Sequence, residues 1–204
     1  MRRPDRSRPT APTPEVIVVT VLSLWLPVLL SAVLVFVASS VIHMLVGYHA
    51  SDFAALPREE EVMEALRRFD VPPGEYVMPH AATAAAMKEP AYLEKVQRGP
   101  VAFVTVFPPG RTGMGAQLVQ WFVYCVVVGV FAAYLTSRAV PAGAEYMSVF
   151  RFAGTAAFMG YALALWQSSI WYRRTWSTTL KNTLDGLIYG LLTAGVFGWL
   201  WPGT

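Results

Sequence analysis

From Val16 to about Tyr48 the chain runs without a single Asp, Glu, Lys or Arg. A bilayer core is crossed by about 20 helical residues, so this run predicts a membrane span and sets the terms for the rest of the fold. A cleavable signal has an apolar core of roughly 7–15 residues. The run is about twice that, so despite its basic leader MRRPDRSRP it reads as a retained span, 16–48, behind a basic tail, 1–15.

Three further runs reach spanning length, from about Ala116 to Leu135, Met147 to Trp171 and Leu184 to Trp201. Pro27 and Arg151 interrupt the runs without cancelling them, because interior proline is tolerated in membrane helices and a long basic side chain near a helix end snorkels to the headgroups. Composition agrees: 55% of residues are hydrophobic and 14% charged, against about 25% charged in soluble domains. The expected fold is an all-α membrane protein of four transmembrane helices, with a small α+β cap between the first two.

That cap, 49–114, holds most of the acidic charge, since nine of the 13 acidic residues lie between Asp52 and Glu94. PREEEVMEALRRF predicts a helix with Pro57 in its first turn, acidic residues at its positive end and Arg67 and Arg68 at its negative end. DVPPGEYVMPH predicts a turn followed by a short strand, VAFVTVF predicts a strand closed by Pro108, Pro109 and Gly110, and EPAYLEKVQRG predicts a helix opened by Pro90 and stopped by Gly99. An insert this small is expected to lean on the helix ends rather than fold around its own core.

Four spans place both termini on one face. Basic residues near span ends favour the cytoplasm, but here they divide almost evenly: Arg2, Arg3, Arg6, Arg8, Arg138 and Arg151 on the N-terminal side, Arg58, Arg111, Arg173, Arg174 and Lys181 on the other. The basic leader tips the balance toward cytoplasmic termini and a periplasmic cap. Whatever the orientation, parity gathers His43, His49, Asp52, His80, Lys181 and Asp185 on one face.

Ionisable groups at shallow membrane depth need partners. Lys181, four residues before Asp185 on the same helix, is that carboxylate's expected local partner. An interhelical His43–Asp185 pair is the alternative, able to relay a proton or hold a ligand. His43, His49, Asp52 and His80 are candidate ligands for zinc or copper, with Met44 and Met78 available to soft copper. The spacing H-x5-H-x2-D matches no established metal signature. On a continuous helix His43 and His49 lie about 240° apart, so a shared ion requires a break at Gly47. Transmembrane haem is disfavoured, because the other three spans carry no histidine.

The last run, DGLIYGLLTAGVFGW, has Gly186 and Gly190 at GxxxG spacing, then Gly195 and Gly198. Small residues at this spacing let helices approach closely, within the bundle or between protomers. No nucleophile–base arrangement, phosphate loop or Cys pair appears, Cys125 being the one cysteine. No cofactor is implied, and no basic stripe interleaved with aromatics suggests nucleic acid. Lipid is the expected partner, with a homo-oligomer or a larger membrane complex beside it.

The phrases SSVIHM, YHASDF with LPREEEV, PPGEY with MPH, RGPVAF and DGLIYGLLTAGVFGWLWP resemble a bacterial family of uncharacterised four-span membrane proteins of about this length. The resemblance covers nearly the whole chain from Val16 and implies a bacterial envelope protein, which with four spans is expected in the inner membrane. It supplies no activity and no residue roles. Two functional classes therefore stand: a non-enzymatic membrane component or accessory subunit, and a protein handling a small ion, a proton or a metal through the His/Asp cluster. A lipid-modifying enzyme has only the cap and Arg173/Arg174 as headgroup binders.

Overall fold

A computed structural model describes residues 19–110 and 113–203. The basic tail, the start of the first run at Val16 and Arg111 lie outside them. The chain is mostly helical with one small sheet. Helix α1 (Trp25–Val41) is preceded by a 3-10 turn, Leu22–Leu24, and runs on into a π-helical turn, Ile42–Val46. In the cap, α2 (Glu59–Arg68) and α3 (Pro90–Arg98) accompany strands β1 (Gly74–Met78) and β2 (Ala102–Val106). The strands pair antiparallel with Tyr76 opposite Val104. Helices α4 (Gly115–Ala139), α5 (Tyr146–Tyr161), α6 (Trp166–Tyr172) and α7 (Trp176–Trp199) complete the chain.

Three helical segments are long and apolar enough to cross a membrane: Leu22–Val46, Gly115–Ala139 and Tyr146–Tyr172. The third is broken between α5 and α6 by a 3-10 turn, Leu163–Leu165. The fourth run differs from expectation. Its helix starts at Trp176 rather than near Leu184, and its opening WSTTLKNTLD is polar. Only the stretch from Leu184 onward is apolar, roughly 24 Å of helix at ~1.5 Å per residue.

The bundle is polar-tolerant inside and apolar outside. Ser31, Thr136, Thr193 and Asp185 are buried, whereas Leu29, Val37, Phe131 and Leu191 are exposed. A water-soluble bundle would reverse that pattern, and it suits lipid contact. Some buried hydroxyls are satisfied locally, as where Ser31 donates to the Val28 carbonyl and Thr193 to that of Tyr189, while Thr136 Oγ1 has no partner among the described residues.

Helix α7 lies along α5 and also touches α1, and its glycines are what allow the approach. A Cβ on Gly186 would stand 2.8 Å from Ala162 Cβ, and one on Gly190 3.2 Å from the Gly154 carbonyl oxygen. Gly198 faces the Tyr146 ring even more tightly, while Gly195 has ordinary contact with the Tyr146 hydroxyl. The glycine face is thus occupied within the chain.

The cap differs in kind. From Phe53 to Gly110 no residue is buried. Its α2 starts after Pro57 rather than at it: Arg58 takes a left-handed conformation (φ 55°) and pairs with Glu61. That turn leaves Pro57 outside the first helical turn. The exposed side chains of Met63, Leu66, Tyr76, Val77 and Phe107 face one another across a groove between α2 and the sheet.

Candidate metal centre

The site forms where α1 gives out. After the π turn, Gly47 adopts φ 72°, and a 3-10 turn (Tyr48–Ser51) follows. A left-handed residue reverses the local chain direction at little steric cost only for glycine. π turns widen a helix by a residue and cluster at functional sites. Together they undo the 240° separation of a continuous helix. The His43 and His49 rings stack 4.5 Å apart with planes 4° from parallel. The histidines that helical geometry would separate are therefore neighbours.

Each ring has its Nδ1 committed. His43 Nδ1 donates to the Ser39 carbonyl at 2.9 Å, one turn back on α1. His49 Nδ1 donates to Asp52 Oδ2 at 2.7 Å. The Ser39 carbonyl fixes Nδ1 of His43 as the donor and leaves its Nε2 free, the arrangement usual behind metal-bound histidines, whereas His49 has a carboxylate at each nitrogen. His49 Nε2 lies 2.8 Å from Asp185 Oδ2 on α7. One donor atom each from His43, His49 and Asp185 falls within a 4.8 Å group. Asp185 is 3% exposed, and its second oxygen, Oδ1, is buried without a hydrogen-bond partner. A buried carboxylate oxygen left unpaired is costly, and a cation would relieve it.

The sequence-level pairings change accordingly. Lys181 does not turn to Asp185. Its Nζ donates to the Tyr48 carbonyl at 2.7 Å, Ser51 Oγ at 2.9 Å and Asp52 Oδ1 at 2.9 Å. A surface i,i+4 pair yields only about 0.2–0.5 kcal/mol, whereas the 48–52 turn offers three acceptors at once. Nor does His43 hydrogen-bond Asp185; His49 holds that position, with His43 stacked on it. His80 is exposed on the cap and joins no such group among the described residues.

Asp52 belongs to the outer layer of the site. Burial alone would push its carboxyl up, but the Lys181 and His49 hydrogen bonds, with the charges behind them, outweigh that. They hold it at about 2, below its ordinary 3.8. It is an anion at neutral pH, able to fix the His49 ring.

Sequence reasoning missed the surrounding side chains. Trp121 Nε1 donates to Ser39 Oγ at 2.8 Å, bracing the turn that carries the His43 acceptor. Tyr48 lies against His49 with ring centres 4.4 Å apart. Tyr161 and Tyr189 meet edge to face at 5.5 Å, and Trp121 touches both. The available signal was helical spacing, since Ser39 precedes His43 by four residues and Tyr189 follows Asp185 by four.

The chain matches no family model, no curated protein and no solved structure. The roles of these residues rest on geometry alone.

Proposed function

We propose that this chain is a four-span bacterial inner-membrane protein that binds a divalent transition-metal ion through His43, His49 and Asp185 where α1 meets α7. In this reading α7 crosses the membrane through its apolar stretch from Leu184, the cap is periplasmic and both termini are cytoplasmic. The metal reading is carried by one observation: two imidazoles with Nδ1 tied to acceptors converge on a buried carboxylate whose second oxygen has no partner. Two nitrogens and an oxygen suit zinc and its first-row neighbours. Binding would replace the short His49–Asp185 contact with two metal–ligand bonds. Three protein ligands leave coordination positions open, as in sites where the ion meets water or a ligand.

The test is metal counting. Protein purified in mild detergent, stripped with a chelator and reloaded with zinc should retain about one ion per chain by elemental analysis. His49→Ala and Asp185→Asn should lose it. Asp52→Asn, which loosens the His49 ring without removing a ligand, should weaken zinc roughly 10–100-fold. Zinc retention equal in the wild type and in a His43→Ala/His49→Ala double variant would sink the reading.

A second reading, a non-enzymatic accessory subunit, draws support from the cap, which buries no residue of its own and presents an apolar groove of about 680 Å³. Native mass spectrometry from detergent distinguishes the two. A bare monomer carrying one metal ion favours the first, and a metal-free complex with a second chain favours the second.

A further inference from the structure

A cavity of about 470 Å³ adjoins the His–Asp cluster, and both His43 and Asp185 line it. Its walls are apolar and aromatic, from Leu118, Trp121 and Tyr124 on α4, Tyr161 on α5 and Tyr189 on α7. This size is usual for a small-molecule site, and so is an apolar lining with few convergent polar groups. Two of those polar groups want a partner: Asp185 Oδ1 and the Tyr189 hydroxyl are both buried with none, on residues 3% and 4% exposed. At the other extreme, Met44 and Met114 line the same cavity and are 71% and 64% exposed. They stand on the outer surface of the bundle at the cap-side ends of α1 and α4. The cavity therefore joins an apolar rim on the surface suited to lipid with a polar floor at the cluster.

We infer that this cavity receives a single-chain amphiphile from the bilayer, its anionic oxygen headgroup meeting the metal at His43, His49 and Asp185 and its chain lying along the aromatic walls. The inference rests on the metal reading above and adds the class of molecule that fills the open coordination positions. Charge selects the head. A divalent ion on one carboxylate, Asp185, leaves one positive charge, while Asp52 is already balanced by Lys181 at 2.9 Å. An anionic carboxylate-like head completes neutrality in a low-dielectric setting, where an unbalanced charge is expensive. The Tyr189 hydroxyl supplies a donor for a second head oxygen. The apolar walls select the tail, since each methylene removed from water contributes about 0.8 kcal/mol. A short soluble carboxylate has the head without the tail, so chain length separates the two sources of the same headgroup chemistry.

The full chain in lipid nanodiscs, loaded with Co²⁺, tests this through the visible d–d bands of the metal. Acetohydroxamate and decanohydroxamate carry the same metal-binding head on short and long chains. Decanohydroxamate should perturb the bands at concentrations about tenfold lower or less. Ala164→Phe, which fills the cavity from an exposed wall position away from the ligands, should bring the two probes together while Co²⁺ binding is unchanged. Leu118→Trp, on α4 where it lines the same cavity, repeats the test where the first variant binds Co²⁺ poorly. Equal potency of the probes on the wild type would overturn the inference and leave the metal site standing. A chain-length preference undiminished in both filled variants would also overturn it, since it then reflects partition into the bilayer. Failure to bind Co²⁺ at all removes the metal reading, and this inference with it.

Discussion

The cap and the junction between α1 and α7 use the same charged residue types to opposite effect. On the cap, Arg67 pairs with Glu64 at 2.8 Å and with Glu60 at 3.2 Å, with every partner at least half exposed. Such pairs are screened by water and are worth about 0–1 kcal/mol each. At the junction, Asp52 and Asp185 have side chains only 5% and 4% exposed, and they share His49 between them. Burial makes each of these groups dependent on its partners, because a stranded charge cannot fall back on water. The cap has many charges and no place that needs them. The junction has few and cannot lose one.

The sharpest way to break that contrast is Lys181→Met, which leaves the buried Asp52 with His49 alone and releases the 48–52 turn from α7. A loss of about 3 kcal/mol is expected, read as lowered resistance to thermal unfolding in detergent. Stability within about 0.5 kcal/mol of wild type would mean that the junction is wet and no different from the cap. Next comes Gly190→Val, which tests whether close helix approach holds the α7 side of the junction in place. With the Gly154 carbonyl 3.2 Å from where a Cβ would sit, overpacking should cost about 1–3 kcal/mol. Fluorescence-detected unfolding checks it, and an unchanged profile would show that the helices part freely.

Gly47→Ala refines the comparison further. The added Cβ has open space, so only the left-handed backbone resists it, at about 1 kcal/mol. The larger effect should be on zinc binding, because relaxing that φ draws His43 and His49 apart. Isothermal titration of stripped protein measures it, and an unaltered zinc affinity would show that the break does not assemble the site. At the small end, Glu64→Ala on the cap should move stability by no more than about 0.5 kcal/mol, and a larger drop would show that the cap pairs are not the exposed surface pairs described.

Much of the architecture was legible because it is written in local pattern. Apolar runs locate α1, α4 and the α5–α6 segment, and Pro90 with Gly99 brackets α3. VAFVTVF and DVPPGEYVMPH locate the two strands, and the structure pairs them. The polar opening of α7 was legible as composition but not as helix, since its apolar residues at helical spacing, Trp176 and Leu180, are exposed and the side it buries carries Thr178 and Thr179. At the candidate site the residue types were legible while their partners were not. His43, His49, Asp52 and Asp185 stood out as ionisable groups near the end of a span, yet the natural pairings, Lys181 with Asp185 and His43 with Asp185, are not those observed.

What the sequence by itself determined is therefore the list of groups that need partners, because depth and desolvation act on each residue separately. What only the tertiary structure decided is which partner each one meets. A π turn and one left-handed glycine rotate His49 onto His43, and the approach of α7 to α1 offers Lys181 three acceptors in place of one. Those outcomes depend on chain direction at a single residue and on the facing of two helices across 133 positions of sequence. Neither leaves a trace in local periodicity.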